Sequence, residues 1–210
     1  MKTKDSKLLL KINGKTVLER SVNAFLNISD VDEIIVVARE KDIPAFSDIL
    51  TDERVSFVVG GDTRQQSVMN AVDVIDDCEL IIIHDGARPL IKSVDIENTI
   101  RAAKENKAAA VGVFVKDTVK VVDKNGFVVS TPDRSTLFAV QTPQIFDFEL
   151  YRNAAQNARE KGLDFTDDCQ LVESCDQKVK TVVGSYSNIK ITTPDDIVLA
   201  ENLLKNEALI

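Results

Sequence analysis

The sequence predicts an α/β fold, a mostly parallel sheet with helices on both faces and a projecting β-hairpin arm. Three observations carry this. Short apolar runs rich in β-branched residues recur without polar alternation, as in strands buried on both sides. Segments with helical apolar spacing separate these runs, and parallel strands joined through helices need crossover connections. The stretch from Thr118 to Gln141 interrupts the alternation with an Asn-Gly turn between two short, polar-flanked strand signals.

In chain order, Leu18, Val22, Phe25 and Leu26 repeat at helical spacing, and Ile34 to Ala38 reads as a strand. Val55 to Val59 is a second strand, running into Gly60-Gly61-Asp62 and a helix that carries Val68, Val72 and Ile75 on one face. Leu80 to Ile83 is the third; a helix after Ser93 uses Ile96, Ile100 and Ala103, and Ala108 to Val115 is the fourth strand. The arm is expected at about 117–144, with Asn125-Gly126 at its tip and Thr142-Pro143-Gln144 read as a turn at its end. Leu150, Ala154 and Ala158 mark a helix that Gly162 can end. Val179 to Val183 and Ile189 to Thr192 read as later strands. Thr193-Pro194-Asp195-Asp196 offers a cap, a proline at the first helical position and first-turn acids, so the last helix starts there.

Composition bounds the function. At 210 residues and 44% hydrophobic, the chain can bury a full core, and a single domain over 1–210 is expected. A net charge of -8 argues against a nucleic-acid binder or an anionic-membrane binder, so phosphate chemistry here must rest on a few local cations. Cys78, Cys169 and Cys175 are odd in number and lack a C-x-x-C pair, which predicts inert thiols in a reducing cytoplasm. No apolar stretch approaches the ~20 residues that span a bilayer, and the first residues are too polar for a secretory signal. One histidine and scattered carboxylates exclude a histidine-based metal site and support a Ser-His-Asp triad poorly.

Candidate site residues gather where strands end. In open parallel sheets ligands bind beyond the carboxyl ends of the strands, and His84, Asp85, Gly86 and Arg88 follow the third strand there. Gly60-Gly61-Asp62 follows the second, and makes either a tight turn or a cradle of N–H groups for a polar ring or anion. Lys190 reads as an edge-strand lysine or a site cation, Arg134 as a loop residue or an anion ligand, and His84 as a structural group or a base.

Taken together, several segments resemble one family. They are Gly-Gly-Asp-Thr-Arg-Gln-Gln-Ser-Val (60–68), His-Asp-Gly-Ala-Arg-Pro (84–89), Lys-Asp-Thr-Val-Lys (116–120), Asp-Arg (133–134), Gln-Thr-Pro-Gln (141–144), Phe-Thr-Asp-Asp (165–168) and Asn-Ile-Lys-Ile-Thr (188–192). In this order they resemble the 2-C-methyl-D-erythritol 4-phosphate cytidylyltransferases, and the closely similar ribitol-5-phosphate cytidylyltransferases share most of them. Gly86 and the short interval between Asp62 and Leu80 favour the first group. A non-catalytic nucleotide-binding or dimerisation module is the alternative from another class.

The resemblance implies a Rossmann-like nucleotidyltransferase in which a sugar-alcohol phosphate attacks the α-phosphorus of CTP, pyrophosphate leaves and Mg²⁺ assists. It implies that Lys7 and Lys190 are catalytic and flank the α-phosphate. Gly61, Asp62 and Ser67 would hold the cytosine, with Arg64 supporting that loop and Asp85 beside the ribose and metal. Arg88, Thr118, Arg134 and Thr142 would hold the sugar phosphate. The arm would cross to a second copy in a homodimer, so Arg134 would serve the other copy's site, and His84 would be structural. Members of the family open with a central strand and an Ala-Ala-Gly-x-Gly-x-Arg-Met loop, whose last residue Met1 matches; Lys7 stands in Ser6-Lys7-Leu8 where Pro-Lys-Gln is usual. The expectation that follows is that the chain as written is weakly active or inactive, with either a gap in the sheet or a substitute strand from its own terminus.

Overall fold

The structure is a computed structural model that describes residues 6–207; the expectation resting on Met1 lies outside the described residues. After a 3₁₀ turn at Lys7–Leu9, the strands Lys11–Ile12 (β1) and Lys15–Thr16 (β2) form a small antiparallel ribbon. Asn13 and Gly14 both take positive φ at its tip, as a two-residue hairpin turn demands. Helix α1 (Val17–Leu26) begins at a reciprocal capping box, Glu19 N–H to Thr16 Oγ1 and Thr16 N–H to Glu19 Oε2.

Strand β3 (Ile34–Ala38), helix α2 (Ile43–Ser47) and strand β4 (Val55–Val59) follow, with β3 and β4 parallel. Next come α3 (Arg64–Val72), β5 (Leu80–Ile83), α4 (Ser93–Asn106) and β6 (Ala108–Phe114). The arm holds β7 (Val121–Val122) and β8 (Val128–Ser130), and the chain returns as β9 (Phe138–Asp147). It closes with α5 (Phe148–Lys161), α6 (Asp168–Glu173), β10 (Lys180–Val183) and α7 (Asp195–Glu207). Among the described residues, no helix is long and apolar enough to cross a membrane.

The larger sheet has the order β10-β6-β9-β5, in which β9 alone runs antiparallel to its neighbours. The β3–β4 pair stands apart from it, and among the described residues neither β3 nor β5 has a strand on its other edge, which leaves a gap between the two strand groups. Apolar packing bridges that gap. Ile34 of β3 shares a cluster with Leu80 and Ile82 of β5 and with Ile96, Ile100, Val111 and Ile145. A second cluster, with Ile81, Ile83, Phe146, Phe148 and Tyr151, covers the opposite face under α5 and α6.

Two sequence expectations are corrected. The segment Thr142-Pro143-Gln144 is not a turn but the buried middle of β9, so the part of the expected arm from Phe138 onward belongs to the main sheet. Pro143 fits there because the β6–β9 register shifts between Ala110 and Gly112, opposite Gln144 and Val140, and a residue without an N–H is tolerated at such an irregularity. The segment Ile189 to Thr192 is not a strand. Ile191 N–H bonds to Ala87 O, while the Thr192 and Thr193 N–H groups turn onto the Asp196 carboxylate at 2.7 Å each, which ends the extended run by capping α7.

Candidate active site at the strand ends

Asp85, two residues beyond the end of β5, is the hub. Its Oδ2 lies 2.9 Å from Lys190 Nζ and 3.4 Å from Arg88 Nε, and its Oδ1 lies 3.8 Å from Arg64 Nε. Burial pushes the Asp85 carboxyl up, but the Lys190 hydrogen bond and the charges of Lys190, Arg64 and Arg88 outweigh it and hold it below the ordinary range. Arg64, in the first turn of α3, also reaches Asp168 Oδ2 at 2.6 Å, and the buried Tyr151 hydroxyl donates to Asp168 Oδ1 at 2.6 Å. The cluster sets three cations against two carboxylates. One positive charge is left over at a half-open surface, a setting suited to an anion.

Backbone geometry brings these groups together. The Arg88 guanidinium donates to Asn188 O at 2.8 Å, and the fully buried Asn188 amide donates to Gln141 Oε1 and Thr142 O at 3.0 Å each. Three chain segments, after β5, in β9 and before α7, are thereby tied at one level. Lys190 is placed by this tie two residues beyond Asn188. Gln144 adds a fourth segment by accepting from Asp168 N–H and Cys169 N–H at 3.1 Å each, which satisfies two orphan donors at the start of α6.

The other expected nucleotide ligands lie in the loop after β4. A Cβ on Gly61 would stand 2.5 Å from Gln66 Cβ, so the loop folds back on α3 as tightly as only glycine permits. Gly61 N–H donates to Ser67 Oγ at 3.1 Å, Ser67 Oγ donates to Thr63 O at 2.9 Å, and Asp62 N–H donates to Gln66 Oε1 at 2.9 Å. Gly61, Asp62 and Ser67 therefore occur as one folded unit. A cleft of about 570 Å³ opens behind that loop, between α3 and the Gly162–Asp164 bend, and is lined by none of the cations around Asp85.

Not every expected residue joins the cluster. Lys7 is exposed on the 3₁₀ turn, which leans on the Asp85 loop through Leu8, 3.8 Å from where a Gly86 Cβ would stand. Thr118 is exposed in the arm, and the Arg134 guanidinium donates to Lys116 O at 2.9 Å. Among the described residues no hydrogen bond or ion pair joins either to Asp85. Arg134 instead borders a cleft of about 490 Å³ with Phe114, Val115, Asp133 and Ser135. Thr142 is 4% exposed and its hydroxyl is engaged by Asp85 N–H and His84, so it is not an open ligand for a sugar phosphate. Sequence reasoning assigned no role to Asp168, Tyr151, Gln144 or Asn188; the Phe-Thr-Asp-Asp, Gln-Thr-Pro-Gln and Asn-Ile-Lys-Ile-Thr segments were the only signals for three of them, and Tyr151 had none.

A resident magnesium ion on Asp85 does not fit these residues. No three His, Cys, Asp or Glu side chains converge among the described residues, and an ion on Asp85 alone would compete with three cations. The donor set suits a magnesium ion only as part of a nucleotide substrate, carried mainly by phosphate oxygens.

Comparison with known proteins agrees with the geometry. The family model described as 2-C-methyl-D-erythritol 4-phosphate cytidylyltransferase matches residues 1–206. The curated protein of that name from Caldanaerobacter subterraneus is 47% identical over 206 residues, 95% of this chain and 91% of its own length. The Desulforamulus reducens protein of the same name is 44% identical over 211 residues, 98% of this chain and 90% of its own. The crystal structure of 4-diphosphocytidyl-2C-methyl-D-erythritol synthase from Anaerococcus prevotii superposes with a TM-score of 0.87 at 38% identity, covering 93% of this chain and 88% of that one. With a family-model match over almost its full length and relatives of that name 44–47% identical along it, this chain belongs to the 2-C-methyl-D-erythritol 4-phosphate cytidylyltransferase family.

Proposed function

We propose that this protein transfers CMP from CTP to 2-C-methyl-D-erythritol 4-phosphate and releases pyrophosphate, a step of isoprenoid precursor synthesis. The observation that carries the reading at residue level is the convergence of Lys190, Arg88 and Arg64 on Asp85 at the strand ends. An acceptor phosphate oxygen attacks the α-phosphorus, the bond from that phosphorus to the β-phosphate bridging oxygen breaks, and pyrophosphate takes the electron pair. The nucleophile is already anionic, so no base is required. What the reaction needs is alignment and positive charge where the equatorial oxygens gain negative charge.

In this reading Lys190 and Lys7 supply that charge, and Asp85 holds Lys190 in place before substrate arrives while facing the ribose. Gly61, Asp62 and Ser67 read the cytosine, and Arg64 braces their loop from α3. Arg88 holds the acceptor phosphate. Magnesium enters with the triphosphate as the nucleotide's counterion, screening its charge.

Thr118 and Arg134 act from the arm across a homodimer. The arm's hairpin is two-stranded, which is marginal alone in water, and it exposes Phe127 at 71% and Val129 at 65%. A second copy is the cover proposed for that apolar face, with Arg134 of each copy completing the site of the other. A cytoplasmic setting is in keeping with the free thiols of Cys78, Cys169 and Cys175.

The test is pyrophosphate release under matched conditions. Turnover is expected with CTP and methylerythritol phosphate, with ATP, GTP and ribitol 5-phosphate as poor replacements. Equal turnover with ribitol 5-phosphate would move the protein to the sister specificity, and comparable turnover with purine nucleotides would sink the cytosine assignment.

A further inference from the structure

His84 is the only histidine of the chain, and the reaction above gives it no task. Its surroundings give it one. The Nε2 atom lies 3.1 Å from Arg88 O, and because a carbonyl oxygen can only accept, Nε2 carries the hydrogen. Burial draws the ring's pKa down to about 4, against the pull of Arg88 O and Asp85, so the ring is neutral at ordinary pH and has no second hydrogen. Its Nδ1 must therefore accept. The atom beside it, at 3.1 Å, is Thr142 Oγ1, whose one hydrogen is thereby committed to the ring. The same oxygen accepts from Asp85 N–H at 3.0 Å.

The bonds run in one direction, from Asp85 N–H to the Thr142 hydroxyl, from that hydroxyl to Nδ1, and from Nε2–H to Arg88 O. Their two ends are the first and last main-chain groups of the Asp85–Arg88 turn, which is also closed by Arg88 N–H to Asp85 O at 2.9 Å. The Phe25 ring, with its centroid 4.8 Å from that of the imidazole, walls off the remaining side. Both ring nitrogens are occupied, which leaves neither for proton transfer to a substrate.

We infer that His84, in its neutral Nε2–H form, and Thr142 are positioning residues that clamp the Asp85–Arg88 turn. His84 sets Arg88 for the acceptor phosphate, and Thr142 sets Asp85 against Lys190. The roles of Arg88 and Asp85 rest on the proposed function; the clamp itself rests only on the geometry. The inference replaces the direct sugar-phosphate contact expected of Thr142 and gives His84 a role beyond filling space.

One experiment separates the two layers. With a single histidine, imidazole ¹⁵N–¹H spectra of the whole labelled chain contain one ring, and at about pH 7 they should show the Nε2–H tautomer. A ring protonated on Nδ1, or an imidazolium, would overturn the clamp. Thr142→Val should abolish slow exchange of the Asp85 amide hydrogen; unchanged protection would also overturn it.

Activity then reads the positioning. His84→Asn keeps a polar atom near the Nδ1 position but loses the donor to Arg88 O, whereas His84→Gln keeps a donor near the Nε2 position. His84→Asn should raise KM for the sugar phosphate about 10-fold while KM for CTP moves less than about 2-fold, and His84→Gln should recover most of that loss. Equal losses in both variants for both substrates would mark His84 as merely structural. If His84→Asn fails to fold, the tautomer and the His84→Gln split still decide. A wild-type chain that releases no pyrophosphate would remove the functional reading and leave the clamp to the spectra.

Discussion

The strand-end floor and the arm hold residues of the same proposed site in opposite ways. On the floor, Asp85, Arg88, Lys190, Thr142 and Asn188 are tied by hydrogen bonds and ion pairs that join segments after β5, in β9 and before α7. In the arm, Thr118 and Arg134 are exposed, and the bonds of that segment stay local, such as Asp133 Oδ1 to Ser135 and Arg134 to Lys116 O. The floor is organised before any ligand arrives, because each group is fixed by others far along the chain. The arm carries apolar side chains into solvent, the face that the proposed second copy would cover. One half of the proposed site is thus held within the chain, and the other lies in the arm, where the proposed second copy would complete it.

The sharpest break in the floor is Asp168→Ala. Asp168 is 2% exposed and answers both Arg64 and Tyr151, so its loss leaves the buried Tyr151 hydroxyl without its acceptor and Arg64 with only the longer pair to Asp85 among the described residues. Unfolding in urea should show a loss of about 3–5 kcal/mol. A loss below about 1 kcal/mol would mean that the floor is far less coupled than its bonds suggest.

Acid should loosen the floor next. The His84 pKa lies at about 4 in the folded chain against an ordinary 6.5, so the unfolded chain takes up this proton first as pH falls. Stability is whole above 6.5 and is lost as pH falls from 6.5 to about 4, by about 3 kcal/mol in all, with Asp85 and Arg88 the charged groups facing the ring. His84→Gln should erase this slope in urea titrations run across that range. The Asp196 cap, held down to about 2 by the Thr193 and Thr192 N–H groups, contributes above the ordinary carboxylate pKa and yields only as pH falls through about 2, outside that window.

Lys190→Ala probes the floor's chemistry. Asp85 keeps Arg88 and Arg64, so the fold should persist while kcat falls on the order of 10²-fold, about 2.7 kcal/mol at the transition state, with a smaller change in KM for CTP. Near-normal kcat would return Lys190 to an ordinary surface lysine. Mixing this variant with Arg134→Ala sharpens the contrast: a shared site predicts regained activity in the heterodimer, and verified subunit exchange without it would count against sharing.

The arm should give the smallest change in stability. Phe127→Asp with Val129→Asp should alter monomer unfolding by no more than about 0.5 kcal/mol, yet light scattering should show the mass of one chain in place of two. A loss of several kcal/mol in the monomer would place the arm in the core.

How much of this was legible differs from element to element. The runs at 34–38, 55–59 and 80–83 are strands to the residue, because short stretches dense in β-branched and aromatic side chains fit a pleated, half-buried surface. Strand β9 looked like a turn, since Gln141, Thr142, Pro143 and Gln144 carry no strand signal; their polar groups are tolerated inside because Asn188, Asp85, Asp168 and Cys169 answer them. The opposite error came at Ile189 to Thr192, an alternating segment that bonds to Ala87 O through Ile191 N–H and joins no sheet among the described residues.

The site divides in the same way. Local motifs pointed to Asp85 and Arg88 by their nearness to a strand end and offered Lys190 as one of two readings, while Arg64 came only from the resemblance, because residue type and position after a strand are properties of short segments. That Arg64 spans Asp85 and Asp168, that Thr142 is closed off by His84, and that Arg134 stands apart from them all emerged only with the folded chain. A short segment encodes which faces are buried and where a turn can form. Which charge meets which is decided by where distant segments return to the same strand ends.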